Sequence, residues 1–360
     1  MANNKDRIMD LKRRGIITED EALELLEGNS NQEKGQFSYT DKNGYDNHDI
    51  DTITGIKNAF GTVIDKLSDG MKALSKTVDD NVDFTNGFPK MKSVKHSIEK
   101  DLDDEFESVS IDLKAGKVQV IQDEKAYVKV NYQIYGAIED NDIEKFIDQK
   151  TKLGVKDGVL EISTVESNKV KADVELHTPD KNYESLMLKL AHGNINVADL
   201  QFKQVEIKQL NGEIILSQLK AEQLEASNKN GEIKVLDGKA SDLKLDSING
   251  TVRVTSAFEK GEVNLVNGSI LITQDTDSVR QLSAKNVNGD IKVSIPERMG
   301  LSGRVKTVFG GYKTRLKLDT PFETGKSGAA VVRSGENVMT FELETKSGTI
   351  WLKDTENKED

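Results

Sequence analysis

A chain of 360 residues with 36% hydrophobic and only 5% aromatic residues cannot build a compact aromatic-centred core, so Val, Ile and Leu must carry the burial, and pleated surfaces use them best. Its formal net charge of −12 excludes general nucleic-acid binding, which needs a basic face to displace counterions from phosphate. The lack of cysteine excludes disulfides and thiolate metal sites.

The opening MANNKDRIMDLKRRG holds no apolar run of signal-peptide length, and no stretch approaches the ~20 apolar residues of a membrane span. A cytoplasmic location is expected, with cell-surface association by non-classical export as the alternative. Residues 1–28 read as a helical hairpin. Ile8 and Leu11 precede Gly15, a helix-ending residue. Thr18 then opens T-E-D-E, a capping box with Glu21, and Ala22, Leu23, Leu25 and Leu26 follow before Gly28. So small a unit must pack on itself, on a second copy or on another surface, which makes Ile8, Leu11, Leu23 and Leu26 candidate interaction residues.

Residues 29–50 are polar and nearly free of aliphatic side chains, the composition of a disordered linker. His48 sits there between Asp46 and Asp49 and is read as solvated. Residues 51–82 predict an amphipathic helix. Phe60, Ile64, Leu67, Met71, Leu74 and Val78 repeat at alternating steps of four and three, an a/d seam. That seam suits docking on the same chain or an oligomer contact; a membrane surface is the third reading, though the mixed charge lacks the usual basic excess. Phe60, Ile64, Leu67, Met71 and Leu74 join the candidate interaction residues.

From about residue 105 the pattern turns to β, in FESVSIDL, KVQVIQ and AYVKVNYQIYG, with one helix expected over 140–151 on Ile143, Phe146 and Ile147. A phrase then recurs: HGNINV, NGEIIL, NGEIKV, NGTVRV, NGSILI, NGDIKV and, near the end, SGTIWL. Its first six glycines, Gly193, Gly212, Gly231, Gly250, Gly268 and Gly289, recur with small slips at a spacing of roughly 20 residues, the period of a solenoid. Two positions on stand Ile195, Ile214, Ile233, Val252, Ile270 and Ile291; four on stand Val197, Leu216, Val235, Val254, Ile272 and Val293. Apolar residues two apart share one face of a strand. A second strand is read from Val205, Leu224, Leu243, Val263 and Leu282 and the residues two beyond them. A further column sits two before the glycine, in Leu210, Ile248, Val266 and Val287, with Lys229 as the exception.

One such rung buries too little to fold alone, so rungs must stack. The predicted architecture is mainly β: a parallel β-solenoid (a β-helix or β-roll) of about 19-residue rungs over 105–353, followed by a polar tail, 354–360. A hairpin or sandwich arrangement is the structural rival, because Asn-Gly also makes two-residue turns. In the solenoid the pairs Asn211–Gly212, Asn230–Gly231, Asn249–Gly250, Asn267–Gly268 and Asn288–Gly289 are corner residues, both types tolerating positive φ. Ile233, Val235, Leu243 and Leu245 should be buried, with Lys234 and Lys244 facing out.

Chemistry is sparse. Glu213, Glu232 and Asp290 follow corner glycines but are interrupted by Thr251 and Ser269, and read as solvated edge charges. His177 and His192 stand singly, His192 in the corner slot. Gly310-Gly311 lacks the context of a nucleotide loop, and no P-loop, nucleophile elbow or H-E-x-x-H is present. No catalytic, cofactor or metal residue is assigned, and a non-enzyme is expected.

The NGxIxV repeats resemble the putative-adhesin family of bacterial β-strand repeats. The opening RIMDLKRRGIITEDEALELLEG resembles the N-terminal module of YvlB/LiaX-like proteins, related to SHOCT oligomerisation modules. The order of module, linker, helix and repeats matches the same group. The resemblance implies a Gram-positive protein of the cell-envelope stress response. It also implies that LiaX-type members sense daptomycin and cationic antimicrobial peptides. On it rests the expectation of a regulatory sensor that self-associates or meets a protein partner through the hairpin, and binds cationic antimicrobial peptides or envelope-stress signalling proteins. A structural adhesin or scaffold is the alternative; a carbohydrate-active enzyme would need a cleft with paired acids.

Overall fold

The computed structural model describes residues 93–102, 105–136, 142–164, 169–319, 324–325 and 328–355. The expected hairpin (1–28), linker (29–50) and amphipathic helix (51–82) lie outside them, as does all of the polar tail beyond residue 355. The described residues are mainly β. The helix Ile143–Lys150 falls within the expected span and buries Ile143 and Ile147 on one face. Thr151, expected to be helical, opens a strand instead, and its hydroxyl donates to the Ile147 carbonyl at 2.9 Å. Strand structure also begins earlier than residue 105: Ser93–Asp101 pairs antiparallel with Tyr127–Tyr135.

The repeats form a β-solenoid-like stack of parallel rungs. Leu224 pairs with Val205 on one side and Leu243 on the other, and Ile233 with Ile214 and Val252. Every partner lies one repeat away, so the strands on either side of an Asn-Gly corner belong to different ladders. That removes the hairpin reading for these repeats. The columns from Ile195 to Ile291 and from Val197 to Val293 are buried throughout, and Ile233, Val235, Leu243 and Leu245 are each no more than 3% exposed.

Three details depart from the sequence reading. First, the shortened unit loses its residue at the second corner, where Thr255-Ser256 replaces Leu236-Asp237-Gly238. Leu243 is therefore opposite Gly261, not Val263, and Leu245 is opposite Val263. The ring of Phe258 covers the gap: a Cβ built on Gly261 would lie 2.6 Å from it. Second, the interior position next to each corner is three residues before the glycine. Gln209, Asn228, Ser247, Leu265, Asn286 and Thr345 occupy it, all at most 2% exposed, whereas Ile248, Val266 and Val287 are only half-buried on the corner ledge. Third, rung order is not chain order. The last strand, Glu336–Asp354, inserts between the Gly289 rung and Met299–Thr314, pairing with both.

Two further rungs carry the ladder glycine without the Asn-Gly spelling. Gly116 pairs with Gly193, and Gly310 with Gly348. Antiparallel strands flank the stack at both ends: Tyr127–Tyr135 against Val170–Thr178, and Met299–Thr314 against Gly328–Arg333. Such pairing blunts a solenoid end that would otherwise template further strands. Near the second end the guanidinium of Arg333, 5% exposed, donates to the carbonyls of Met299 and Pro296, both at 2.8 Å, and to Asp354. A buried guanidinium is tolerated because its donors are occupied.

Candidate functional site

The corner is the most regular polar feature of the molecule. Only its glycines have positive φ; the asparagines keep ordinary backbone angles, against the expectation that both residues would need that freedom. The asparagines are used for their side chains. Asn230 donates its Nδ2 to Asn211 Oδ1 at 2.8 Å, Asn249 to Asn230 at 2.7 Å, Asn267 to Asn249 at 2.9 Å and Asn288 to Asn267 at 2.9 Å. Asn230, Asn249 and Asn267 thus each donate to one rung and accept from the next. His192 Nδ1 meets Asn211 Nδ2 at 3.1 Å and starts the ladder; burial holds its imidazole pKa down. A second ladder runs inside the corner. Asn228 and Asn286 donate to the carbonyls of Gly212 and Gly268 at 2.8 Å, Thr345 to that of Gly289 at 3.0 Å, and Gln209 to that of Gly193.

Asn249→Ala removes two side-chain hydrogen bonds in mid-ladder. Half-exposed neutral bonds contribute about 0.5–1.5 kcal/mol each, so a loss of about 1–2 kcal/mol is expected in urea unfolding. Asn288→Ala also removes the bond to Asn267, and no second Asn bond follows it in the ladder, so its loss should be smaller.

The outward faces pair their charges. Lys234 bridges Glu213 and Glu232, so these carboxylates are ion-paired and not merely solvated. Lys244 bridges Glu225 at 2.7 Å and Asp246 at 3.8 Å. Asp290 accepts from the Thr349 amide at 2.9 Å. Asp246 is the exception in burial, at 9% exposure. Desolvation raises its carboxyl pKa against the Asn264 amide and Lys244, which lower it. A raised carboxyl pKa gives stability that is present below the ordinary carboxylate value and lost as pH climbs through the folded value. Asp246→Asn keeps an acceptor for Asn264, so its melting temperature should equal that of the parent in acid and exceed it at neutral pH; thermal melts across that range check this.

His177, read as a lone histidine, meets Asp123 Oδ2 at 2.9 Å and stacks on Tyr127 at 4.2 Å between ring centroids. The backbone amide of Glu124, then His177, hold the Asp123 carboxyl below its ordinary range. Asp123 follows the end of one strand and His177 stands on another, well separated in the chain, and no local pattern signals that they meet. The candidate interaction residues Ile8, Leu11, Leu23, Leu26, Phe60, Ile64, Leu67, Met71 and Leu74 lie outside the described residues. Among the described residues no group of three or more His, Asp or Glu converges as a metal site, and no helix is long and apolar enough to cross a membrane.

In-register rungs stitched at their corners by amides define a β-repeat protein of β-solenoid-like architecture. The Toastrack DUF4097 family model matches residues 106–353, and this chain belongs to that family. It is also 34% identical over 322 residues to a Bacillus subtilis (strain 168) protein named "Uncharacterized protein YvlB", covering 88% of this chain and 87% of that one. The family match leaves out residues 1–105, so the likeness of the opening segment to SHOCT and LiaX modules is outside it. Among solved structures, a putative adhesin of Bacteroides fragilis is 14% identical, covering 74% of this chain and 99% of its own, with a TM-score of 0.35. One from Parabacteroides merdae is 12% identical over 75% and 98%, at 0.37. A putative cell adhesion protein of Clostridium sporogenes is 14% identical over 73% and 100%, at 0.23.

Proposed function

We propose that this chain is a non-enzymatic binding scaffold whose stacked rungs present long, ordered outer faces to a partner. One observation carries the reading: parallel registration repeats each outward position on successive rungs, as in Ile215, Lys234 and Arg253. Such a face offers recognition elements at the ~4.8 Å inter-strand spacing. A photo-crosslinking side chain at position 234 or 253, in cells of the source bacterium, should yield a discrete adduct. The same group at 206 or 225, on the other ladder, tells which face is used. Absence of any adduct from both faces would remove the scaffold reading. Protease shaving of intact cells separates an adhesin from an intracellular scaffold.

The regulatory reading keeps the scaffold and adds a signal from envelope stress. The net charge of −12 supports it, since it attracts cationic peptides in a salt-dependent way. Isothermal titration with a cationic antimicrobial peptide or calcium–daptomycin at low salt should then release heat; none would end that reading. Self-association through residues 1–28 predicts a lower mass by light scattering once they are deleted. Equal masses would leave a different protein as the hairpin's partner.

A further inference from the structure

Several lysines elsewhere on the outer faces are matched by acids: Lys203 with Glu184, Lys234 with Glu213 and Glu232, Lys244 with Glu225. Near the end of the stack cations gather with little acid beside them. A groove of about 530 Å³ is lined by Lys292, Lys313, Arg315, Lys353 and Trp351, together with Val293, Ser294, Thr314 and Leu352, and no carboxylate lines it. Register explains the crowding. Lys292, Trp351 and Lys313 are successive members of one outward column, and Lys353 lies two residues beyond Trp351. The Arg315 amide donates to the Leu352 carbonyl at 3.0 Å, which holds Arg315 beside them. Four cations from three adjacent rungs thus converge, about 4.8 Å apart in the stacking direction, on a chain whose net charge is −12. Asp290, 3.7 Å from Lys292, is the one acid paired to this group among the described residues.

Trp351 adds a second, independent observation. The Lys313 ammonium lies 4.3 Å and the Lys292 ammonium 5.9 Å from the centroid of its ring, so the indole holds both cations in place. Its Nε1–H is buried and has no hydrogen-bond partner. Lys313, Arg315 and Lys353 have no ion-pair partner among the described residues, and Lys292 has only Asp290. An anion rich in acceptor oxygens would neutralise these cations.

We propose that this groove binds a phosphate-bearing ligand. The donors come from three rungs, so they point in different directions; a tetrahedral phosphate offers oxygens in several directions, a planar carboxylate in one plane. Arg315 supplies the fork geometry that suits phosphate and the lysines supply point charges. The volume fits a small ligand or a headgroup. The inference goes beyond the scaffold reading and stands without it, since the groove takes phosphate or does not, whichever partner meets the other faces.

Trp351 is the single tryptophan of the chain, so intrinsic fluorescence of the full-length protein reports on the groove directly. Tripolyphosphate and phosphatidylglycerol vesicles are the probes; citrate and phosphatidylcholine vesicles are the controls. A saturable emission change with either probe is expected. Response to both means that a soluble phosphate suffices; response to the vesicles alone assigns the site to a lipid headgroup. Lys313→Gln with Arg315→Gln should weaken binding by about tenfold or more, through loss of two charge-assisted contacts, while Lys234→Gln leaves it unchanged. Circular dichroism confirms that each variant is folded. No saturable change with either probe, an equal response to citrate or phosphatidylcholine, or indifference to the double substitution would overturn the proposal.

Discussion

Gly231→Ala is expected to unfold the repeat domain, or to lower its stability by at least about 3 kcal/mol. A Cβ on Gly231 would lie 1.9 Å from the carbonyl oxygen of Gly212 in the rung beside it, and the residue's φ is +132°. An L side chain at that φ is strained by about 1–3 kcal/mol by itself. Relief of the clash requires the corner to move away from its neighbour. That movement would stretch the Gly212 amide bond to the Asn230 carbonyl, now 2.9 Å, and the Asn228 bond to the Gly212 carbonyl. Gly311→Ala is the control, because nothing lies within 4 Å of its Cβ position. A Gly231→Ala protein with the parent's urea midpoint would show that the rungs are not held at contact distance.

Ile233→Asp should cost about 4 kcal/mol or more at neutral pH. Ile233 is fully buried between Ile214 and Val252 in the same column. An aspartate there finds neither water nor a cation, and an ionised carboxylate without a partner is among the costliest groups to bury. It would fold only by taking up a proton, so the deficit should shrink in acid. Ile233→Val, which removes a single methyl(ene), should cost about 0.5–1.5 kcal/mol. Lys234→Asp, one residue along and facing outward, should cost far less than Ile233→Asp. Chemical unfolding followed by circular dichroism ranks the three; equal losses at 233 and 234 would contradict the column assignment.

Much of this architecture was legible in the sequence because a parallel stack writes its period into the chain. Ile195, Ile214 and Ile233 recur at a constant interval because each must fill the same place in the core one rung later. The glycines recur because each corner backbone touches the corner below. The interior amides were not legible as a column. Gln209, Asn228 and Asn286 look like surface polar residues, and only their hydrogen bonds to the corner glycine carbonyls explain why they point inward. The shortened unit was misaligned for a related reason: Gly261 leaves its column empty, and Phe258 fills it from three residues away.

The local spelling by itself determined the coil: strands of period two, a glycine at each corner, and stacking as the means to bury aliphatic columns that no single rung can cover. It did not determine the order of the stack. Placing Ser347 directly on Asn288, with Met299–Thr314 beyond it, depends on which edge accepts which strand. Parallel backbone edges are chemically alike, so side-chain fit and the end-capping pairs make that choice. The same insertion brings Trp351 between Lys292 and Lys313. A groove assembled from segments so far apart in the chain becomes visible only once the tertiary fold has set them side by side.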